Sequence, residues 1–270
     1  MNAVRRVDLN ADVGESTGDA SARIEEALLA ATTTVHVACG YHAGDDTTMR
    51  RVVAAAVSCG VVVGAHPSYP DRAGFGRRDI ERSPVQVATD VRRQLDALAT
   101  VTREWGTGIR SVKPHGALYH RTAGDEACAA AISDVLAGGS SGGDAAPVAL
   151  VMPAGAATAG VPPTFGVPVV AEAFCDRRYR SDGTLVPRSE ASSVITDVGE
   201  AVEQALSIVL TGTVTPVSGD PLPLLCDTLC VHGDTPGAPA LVTGVRRALE
   251  AAGVVVAPYV GSAVLRAQVR

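Results

Sequence analysis

Seven short apolar runs alternate along this chain with longer stretches of helical period, and that alternation constrains the fold more than any other feature. The runs are Val4 to Leu9, Thr34 to Cys39, Val61 to His66, Ser111 to His115, Pro147 to Met152, Val167 to Phe174 and Thr228 to His232. Between them, periodicity and capping residues predict helices at Asp45 to Cys59, Ser83 to Trp105, Asp125 to Leu136, Ser189 to Leu210 and Ala238 to Ala252. Strands separated by helices pair in parallel, so the pattern implies a parallel sheet covered by helices. No dinucleotide-binding glycine fingerprint follows the first strand, and no shift of composition marks a linker. We therefore expect an α/β fold in which residues 1–270 form a single domain, a seven-stranded (β/α) barrel, in preference to an open doubly wound sheet. A chain of 270 residues is an ordinary length for such a barrel.

Charge narrows the ligand. The formal net charge is -6, the pI is near 5.5 and no basic run occurs, which removes the electrostatic footprint of a nucleic-acid binder and points to a small molecule. No run of about 18 apolar residues offers a membrane span, and the first residues lack the apolar centre of a signal peptide, so a cytoplasmic location is expected. Six scattered cysteines in such a chain suggest small core residues rather than disulfides, and Cys226-x-x-x-Cys230 has no second half with which to hold a structural zinc. Residues 138–144 form a glycine-rich loop containing a literal G-x-S-x-G. That stretch runs from helix to strand, the reverse of the order a nucleophile elbow needs.

The polar residues gather where a parallel barrel places its chemistry, at the C-terminal ends of the strands. The first run passes into Asp8-Leu9-Asn10-Ala11-Asp12-Val13-Gly14-Glu15, and alternation sets Asp8, Asn10 and Asp12 on one face. The second leads to His42 between two glycines. The third ends at His66 before a long loop whose glycines and Phe75 suit a lid. In the fourth, Lys113 and His115 project to the same side. The sixth carries Glu172 inside an apolar run, where a carboxylate needs a partner, and Arg177, Arg178 and Arg180 follow it. In the seventh, alternation puts His232 beside Asp234, and the glycines beyond lead into a helix N-terminus able to hold an anion. Five of six histidines, His42, His66, His115, His120 and His232, thus lie at or just past strand ends. Joined by Asp8, Asp12, Glu172 and Asp234, they favour one polar pocket over scattered structural roles. His36, in mid-strand, reads instead as a packed, hydrogen-bonded residue.

Lys113 is the only lysine in a chain with 22 arginines. Either composition drifted and left one lysine, or the position needs a compact ammonium whose pKa falls on burial, which guanidinium does not supply.

The blocks DLNADVGE, ACGYHAGD, GAHPSYPDRAGFGRR, VKPHGALYH, EAFCDRRYRSDGTLVPR and LCVHGDTPG, spread over residues 8 to 237, resemble the LamB/YcsF lactam-utilisation family, the A subunits of prokaryotic 5-oxoprolinases. Departures are few. His36 and His120 stand where the family usually has Asn, Ala11 where Cys is common and Cys175 where Ala is common, so neither His36 nor His120 is assigned an essential role. The resemblance implies a barrel of the glycoside hydrolase/deacetylase type. It also implies a hydrolase acting on a cyclic amide C–N bond, opening 5-oxo-L-proline (pyroglutamate) to L-glutamate with ATP hydrolysis, in company with B and C subunits. The chain lacks G-x-x-x-x-G-K-[ST], so ATP is expected to be bound with or by those partners.

Opening a resonance-stabilised lactam needs an activated carbonyl, a deprotonated water and a protonated leaving nitrogen. On the family reading, Lys113 is the electrophile and His115 the proton donor or acceptor, Asp12 activates water, and Glu172 orients Lys113 or a histidine. Arg177 or Arg180 would bind the substrate carboxylate, with Asp8, Asn10, His42, His66, His232 and Asp234 completing the pocket. No residue is assigned to a metal, though a divalent ion stays open. A rival reading is a metal-dependent deacetylase or amidohydrolase using Asp12, His66 and His115, against which no H-x-x-x-H occurs. A second is a non-catalytic binding or regulatory protein that leaves all turnover to its partners. Association into a homo-oligomer is compatible with each.

Overall fold

The computed structural model describes residues 4–15, 19–138, 147–155 and 166–259; the G-x-S-x-G match lies outside them. Its strands are β1 (Arg6–Val13), β2 (Thr34–Ala38), β3 (Val62–His66), β4 (Ser111–Val112), β5 (Ala149–Pro153), β6 (Val169–Phe174), β7 (Thr213–Val214), β8 (Leu222–Pro223), β9 (Thr228–Cys230) and β10 (Val255–Val256). Strands β1 to β6 and β9 pair in parallel in that order, and β9 pairs back onto β1 through Asp8↔Thr228, Leu9↔Leu229 and Asn10↔Cys230. The sheet therefore closes as a seven-stranded barrel. β10 adds in parallel to the start of β1 at Arg6 and Val7, while β7 and β8 form a separate hairpin.

Helices α1 (Asp19–Ala31), α2 (Asp46–Ser58), α3 (Pro84–Glu104), α4 (Gly116–Gly124), α5 (Glu126–Ala137), α6 (Val198–Leu206) and α7 (Ala238–Ala251) surround it. Their starts follow from local chemistry. Ser83 and Gln86 form a reciprocal capping box with Pro84 in the first turn of α3, while Asp45, Asp125 and Asp197 accept from the backbone of the first turns of α2, α5 and α6. Val87, Val91, Leu98 and Val101 of α3 are fully buried, each contributing about 1.5–3 kcal/mol on the sheet's outer face.

Register decides which side chains enter the barrel, because residues paired across parallel strands share a face. Asp12 pairs with His36, His36 with Gly64, Ser111 with Ala149, Val151 with Val170 and Glu172 with Thr228. The opposite set, including Leu9, Ala11, Val35, Val37, Val63, Leu150, Met152 and Leu229, forms the dry layer under the helices. Ala149, Val151, Val170 and Tyr259 make a second apolar cluster on the interior face of β5 and β6. The β1–β4 and β9 side of the interior is polar.

Several elements differ from the sequence-based expectation. The first strand runs on to Val13, its second half pairing with β2 from Asn10↔Thr34 to Val13↔Val37. β4 stops at Val112, although the chain stays extended through His115, whose N–H donates to Pro67 O at 2.8 Å. The helix expected from Ser189 starts only at Val198. Before it the backbone is committed elsewhere, with Arg177 bridged to Val194 and Ile195 N–H donating to Asp176 O. Helices α1 and α4 and the β7–β8 hairpin have no counterpart in that expectation. No helix among the described residues is long and apolar enough to cross a membrane.

Candidate active site

Asp12, His66, Lys113, His115, Glu172 and His232 do converge, and all but Glu172 line a cavity of about 690 Å³ at the C-terminal mouth of the barrel. Glu172 lies at its floor, fully buried. Asn10 Nδ2 donates to Glu172 Oε1 at 3.0 Å, Tyr119 Oη donates to Oε2 at 2.8 Å, and Lys113 Nζ stands 2.9 Å from Oε1. Lys113 also donates to Asp12 Oδ1 and Oδ2 at 3.0 and 3.1 Å and to Cys230 Sγ at 3.2 Å. An ammonium has three N–H donors, and here they face three acceptor residues.

These contacts place the lone lysine between Asp12, Cys230 and Glu172. Burial pulls the Lys113 pKa down, but Asp12, Cys230 and Glu172 together hold it well above the ordinary lysine value. The ammonium lies between two carboxylates, which favour its charged form.

Four expected pocket members, Asp8, Asn10, His42 and Arg180, are not among the residues that line the cavity. Asp8 lies deeper in the barrel, accepting from Thr33, Thr34 and Thr228, so it neither neighbours Asp12 nor reaches the cavity. Burial outweighs those hydroxyls and pushes its carboxyl up to about 6. Arg180 pairs with Glu190 on the surface. Asn10 serves Glu172 and Thr228 from below the floor rather than a ligand. His120 lines the cavity wall, and His36 is buried in mid-strand, bonded to Ser111 Oγ at 3.1 Å over Gly64.

Arg177 is buried against the cavity, with Nη2 donating to Val186 O at 2.6 Å and Nε to Ser193 O at 3.4 Å. Burial first, and nearby Arg188 second, bring its pKa down to about 10, still charged at neutral pH. Asp234 does not pair with His232. The chain turns after β9, Thr235 N–H bonding back to His232 O, and Asp234 instead meets Arg77 at 2.6 Å and Arg188 at 3.3 Å across the mouth. The carboxylate holding His232 is Asp176, 3.0 Å from its Nδ1 and fully buried. Although burial raises the Asp176 pKa, His232 and Thr235 bring it to about 2.

Sequence reasoning missed both Asp176 and Glu15. Glu15 Oε1 lies 3.0 Å from His42 Nε2, 3.1 Å from His115 Nδ1 and 3.6 Å from His66 Nε2. Burial opposes its charge, but His115 and His42 hold it well below the usual carboxylate range. Burial likewise holds His66 and His42 below the ordinary imidazole value.

The loop after β3, which the sequence suggests as a lid, makes side-chain contacts along its length. Arg72 donates to Gly40 O and Gly44 O, Asp71 accepts from Gly74 N and Arg78, and Phe75 packs edge-on against His42 and His115. Phe75 is left-handed, with φ 53°, and its carbonyl accepts from His115 Nε2 at 2.8 Å. Gly76, with φ +64°, lies so close that a Cβ there would sit 2.9 Å from His115 Cδ2.

Residues 7–263 match the model of the LamB/YcsF family. The 5-oxoprolinase A subunit of Streptomyces avermitilis is 46% identical over 253 residues, which is 94% of this chain and 99% of that protein. That of Chloroflexus aggregans is 44% identical over 250 residues, 93% and 97% of the two chains. Among solved structures, the lactam utilization protein from Thermus thermophilus superposes with a TM-score of 0.82 at 38% identity, covering 93% of this chain and 99% of that one. A family 4 carbohydrate esterase from Streptomyces lividans, in complex with acetate, shares the fold alone, with a TM-score of 0.50 at 12% identity over 93% and 91% of the chains.

Proposed function

The chain belongs to the LamB/YcsF family, and from that premise we propose that it serves as the A subunit of a cytoplasmic 5-oxoprolinase. The reaction is the opening of 5-oxo-L-proline to L-glutamate, coupled to ATP hydrolysis with B and C subunits. The observation that carries this reading is the 46% identity to a 5-oxoprolinase A subunit over 99% of that protein's length. The fold shared with the carbohydrate esterase supports the deacetylase alternative no further than architecture.

The cavity suits a small cyclic amide bearing a carboxylate. Arg177 has two of its three nitrogens tied to backbone carbonyls, and Nη1 is left to hold the substrate carboxylate. Asp12 faces the cavity with Lys113 behind it and His66 Nε2 3.4 Å away, so it is the group placed to take a proton from an attacking water. Lys113 and Glu172 act through Asp12, fixing its charge and position. His115 is a poor proton shuttle in this arrangement, because its Nε2–H is spent on Phe75 O and its Nδ1 turns to Glu15 and His66. ATP would be handled with the partner subunits and would supply the activation of the lactam oxygen.

The test is a three-way assay of isotope-labelled 5-oxo-L-proline with this chain alone, with B and C subunits alone, and with the mixture, each with and without ATP. Labelled glutamate is expected only from the mixture with ATP. Equal turnover by B and C without this chain would refute the assignment.

A further inference from the structure

His66 and His115 are held in tautomers that do not match each other. His66 Nδ1 lies 2.7 Å from Lys113 O, and His115 Nε2 lies 2.8 Å from Phe75 O. A carbonyl oxygen only accepts, so both of these nitrogens carry the ring proton. With both rings neutral, the two remaining nitrogens, His66 Nε2 and His115 Nδ1, present lone pairs to each other across 3.0 Å. Glu15 Oε1 brings a third electron-pair donor, 3.1 Å from the His115 nitrogen and 3.6 Å from that of His66. Three donors facing one point need a positive charge among them, which a proton on His115 Nδ1 supplies in the metal-free protein and a metal ion can replace.

The spacing identifies its class. Metal–ligand bonds of about 2.0–2.1 Å in a tetrahedral zinc site set neighbouring donors roughly 3.3 Å apart. The three distances here lie on either side of that value. The backbone carbonyls fix each ring by its far nitrogen, as partners of metal-bound histidines do. His42 has a different position. Its ring stacks on His115 with centroids 3.8 Å apart and planes 6° from parallel, so the in-plane lone pairs of the two rings cannot meet at one ion. Its Nε2, 3.0 Å from Glu15 Oε1, instead steadies the carboxylate. Glu15, His66 and His115 line the cavity whereas His42 does not, which leaves the fourth coordination position toward the ligand space. A second gathering of donors, Asp12, Cys230 and His232, already has a cation, since Lys113 Nζ sits within 3.2 Å of both Asp12 and Cys230.

We propose that Glu15, His66 and His115 bind one divalent transition-metal ion of the zinc class, with an open position facing the cavity. When bound, such an ion supplies Lewis-acid polarisation of an oxygen in the cavity. The site goes beyond the proposed activity and is tested without it.

Full-length protein stripped by a chelator is titrated with Zn²⁺ and with Co²⁺ by calorimetry, and metal retained after gel filtration is counted by mass spectrometry. One Zn²⁺ per chain is expected, and Co²⁺ should give the visible bands of a four-coordinate nitrogen and oxygen site. Glu15→Gln and His115→Gln should each weaken Zn²⁺ at least about 100-fold, His42→Gln about 10–100-fold, and His36→Asn not at all. A folded wild-type protein that takes up neither ion at about 100 μM overturns the proposal, as does full occupancy retained by both ligand variants. Should those variants not fold, anomalous scattering at the zinc edge from wild-type crystals decides. A peak between Glu15, His66 and His115 supports the site, and a peak elsewhere or none refutes it.

Discussion

Replacing Lys113 by methionine keeps the length of the side chain and removes its charge, leaving Asp12 and Glu172 facing each other in the barrel interior. The ammonium sits 2.9 to 3.1 Å from both carboxylates, and all three side chains are almost wholly buried. Breaking a buried ion pair by deleting one partner costs about 3–5 kcal/mol, a large share of the roughly 5–15 kcal/mol that holds a domain folded. At about 2–4 °C per kcal/mol for a domain of this size, Tm should fall by roughly 6–20 °C. The pH dependence makes the test specific. A cation whose pKa is raised in the folded state contributes stability that is fully present below its unfolded value, and is lost only as pH rises through the folded one. Wild type should therefore show no slope from Lys113 between pH 5 and 9. In the variant, a proton taken up by one carboxylate relieves the repulsion, so the gap in Tm should narrow as pH falls from 8 to 5. Adding Glu172→Gln should return about 1–3 kcal/mol. Thermal and urea unfolding of the three proteins across that range is the assay. A Tm unchanged at pH 8, or a gap that widens on acidification, would refute the account of the ammonium as counter-charge.

Lys113→Arg, which keeps the charge and not the size, should lower activity at least about 100-fold through misplacement of Asp12; full activity in the reconstituted enzyme would remove the significance of the lone lysine. Asp8, an acid with its pKa raised from 3.8 to about 6, makes the native state lose on the order of 3 kcal/mol as pH climbs through that interval. Urea unfolding at pH 4.5 and 7.5 should show this slope reduced in Asp8→Asn, and an identical slope would contradict it. Arg177→Ala should raise KM for 5-oxo-L-proline about 10–100-fold with a smaller effect on kcat, the loss of a charged hydrogen bond worth roughly 1.5–3 kcal/mol. An unchanged KM would take the substrate carboxylate away from Arg177. Gly76→Ala forces a side chain into a left-handed position 2.9 Å from His115. It should cost about 1–2 kcal/mol and displace the Phe75 carbonyl, visible as a lower Tm and a shifted His115 resonance in NMR spectra.

The interior of the barrel was legible because alternation survives closure. Asp8, Asn10 and Asp12 share a face whichever way the sheet curls, and so do Lys113 and His115, even though the ladder of β4 ends at Val112. Glu172, a carboxylate alone in an apolar run, announced its need for partners and has three. Legibility ended where the backbone leaves the strand. Glu15 follows Gly14, whose φ of +76° breaks the alternation of β1, and the histidines that meet it come from three other segments. His232 and Asp234 were paired by the same rule one step too far, because a turn begins at His232. Asp176 could have been found by extending the β6 alternation from Glu172 through Phe174, past which the arginines drew attention instead.

That boundary has a physical reason. Inside the strands each polar side chain is fixed by the pleat, so residue spacing alone predicts neighbours. Past the strands, the position of Glu15 depends on a left-handed glycine, that of His115 on the carbonyl of a left-handed Phe75, and that of Asp234 on two arginines from separate loops. The charge-holding floor of Asp12, Lys113 and Glu172 belongs to the first regime and should tolerate loop changes. The Glu15, His66 and His115 cluster belongs partly to the second. Substitutions in the loop after β3 should therefore disturb that cluster while leaving the floor intact.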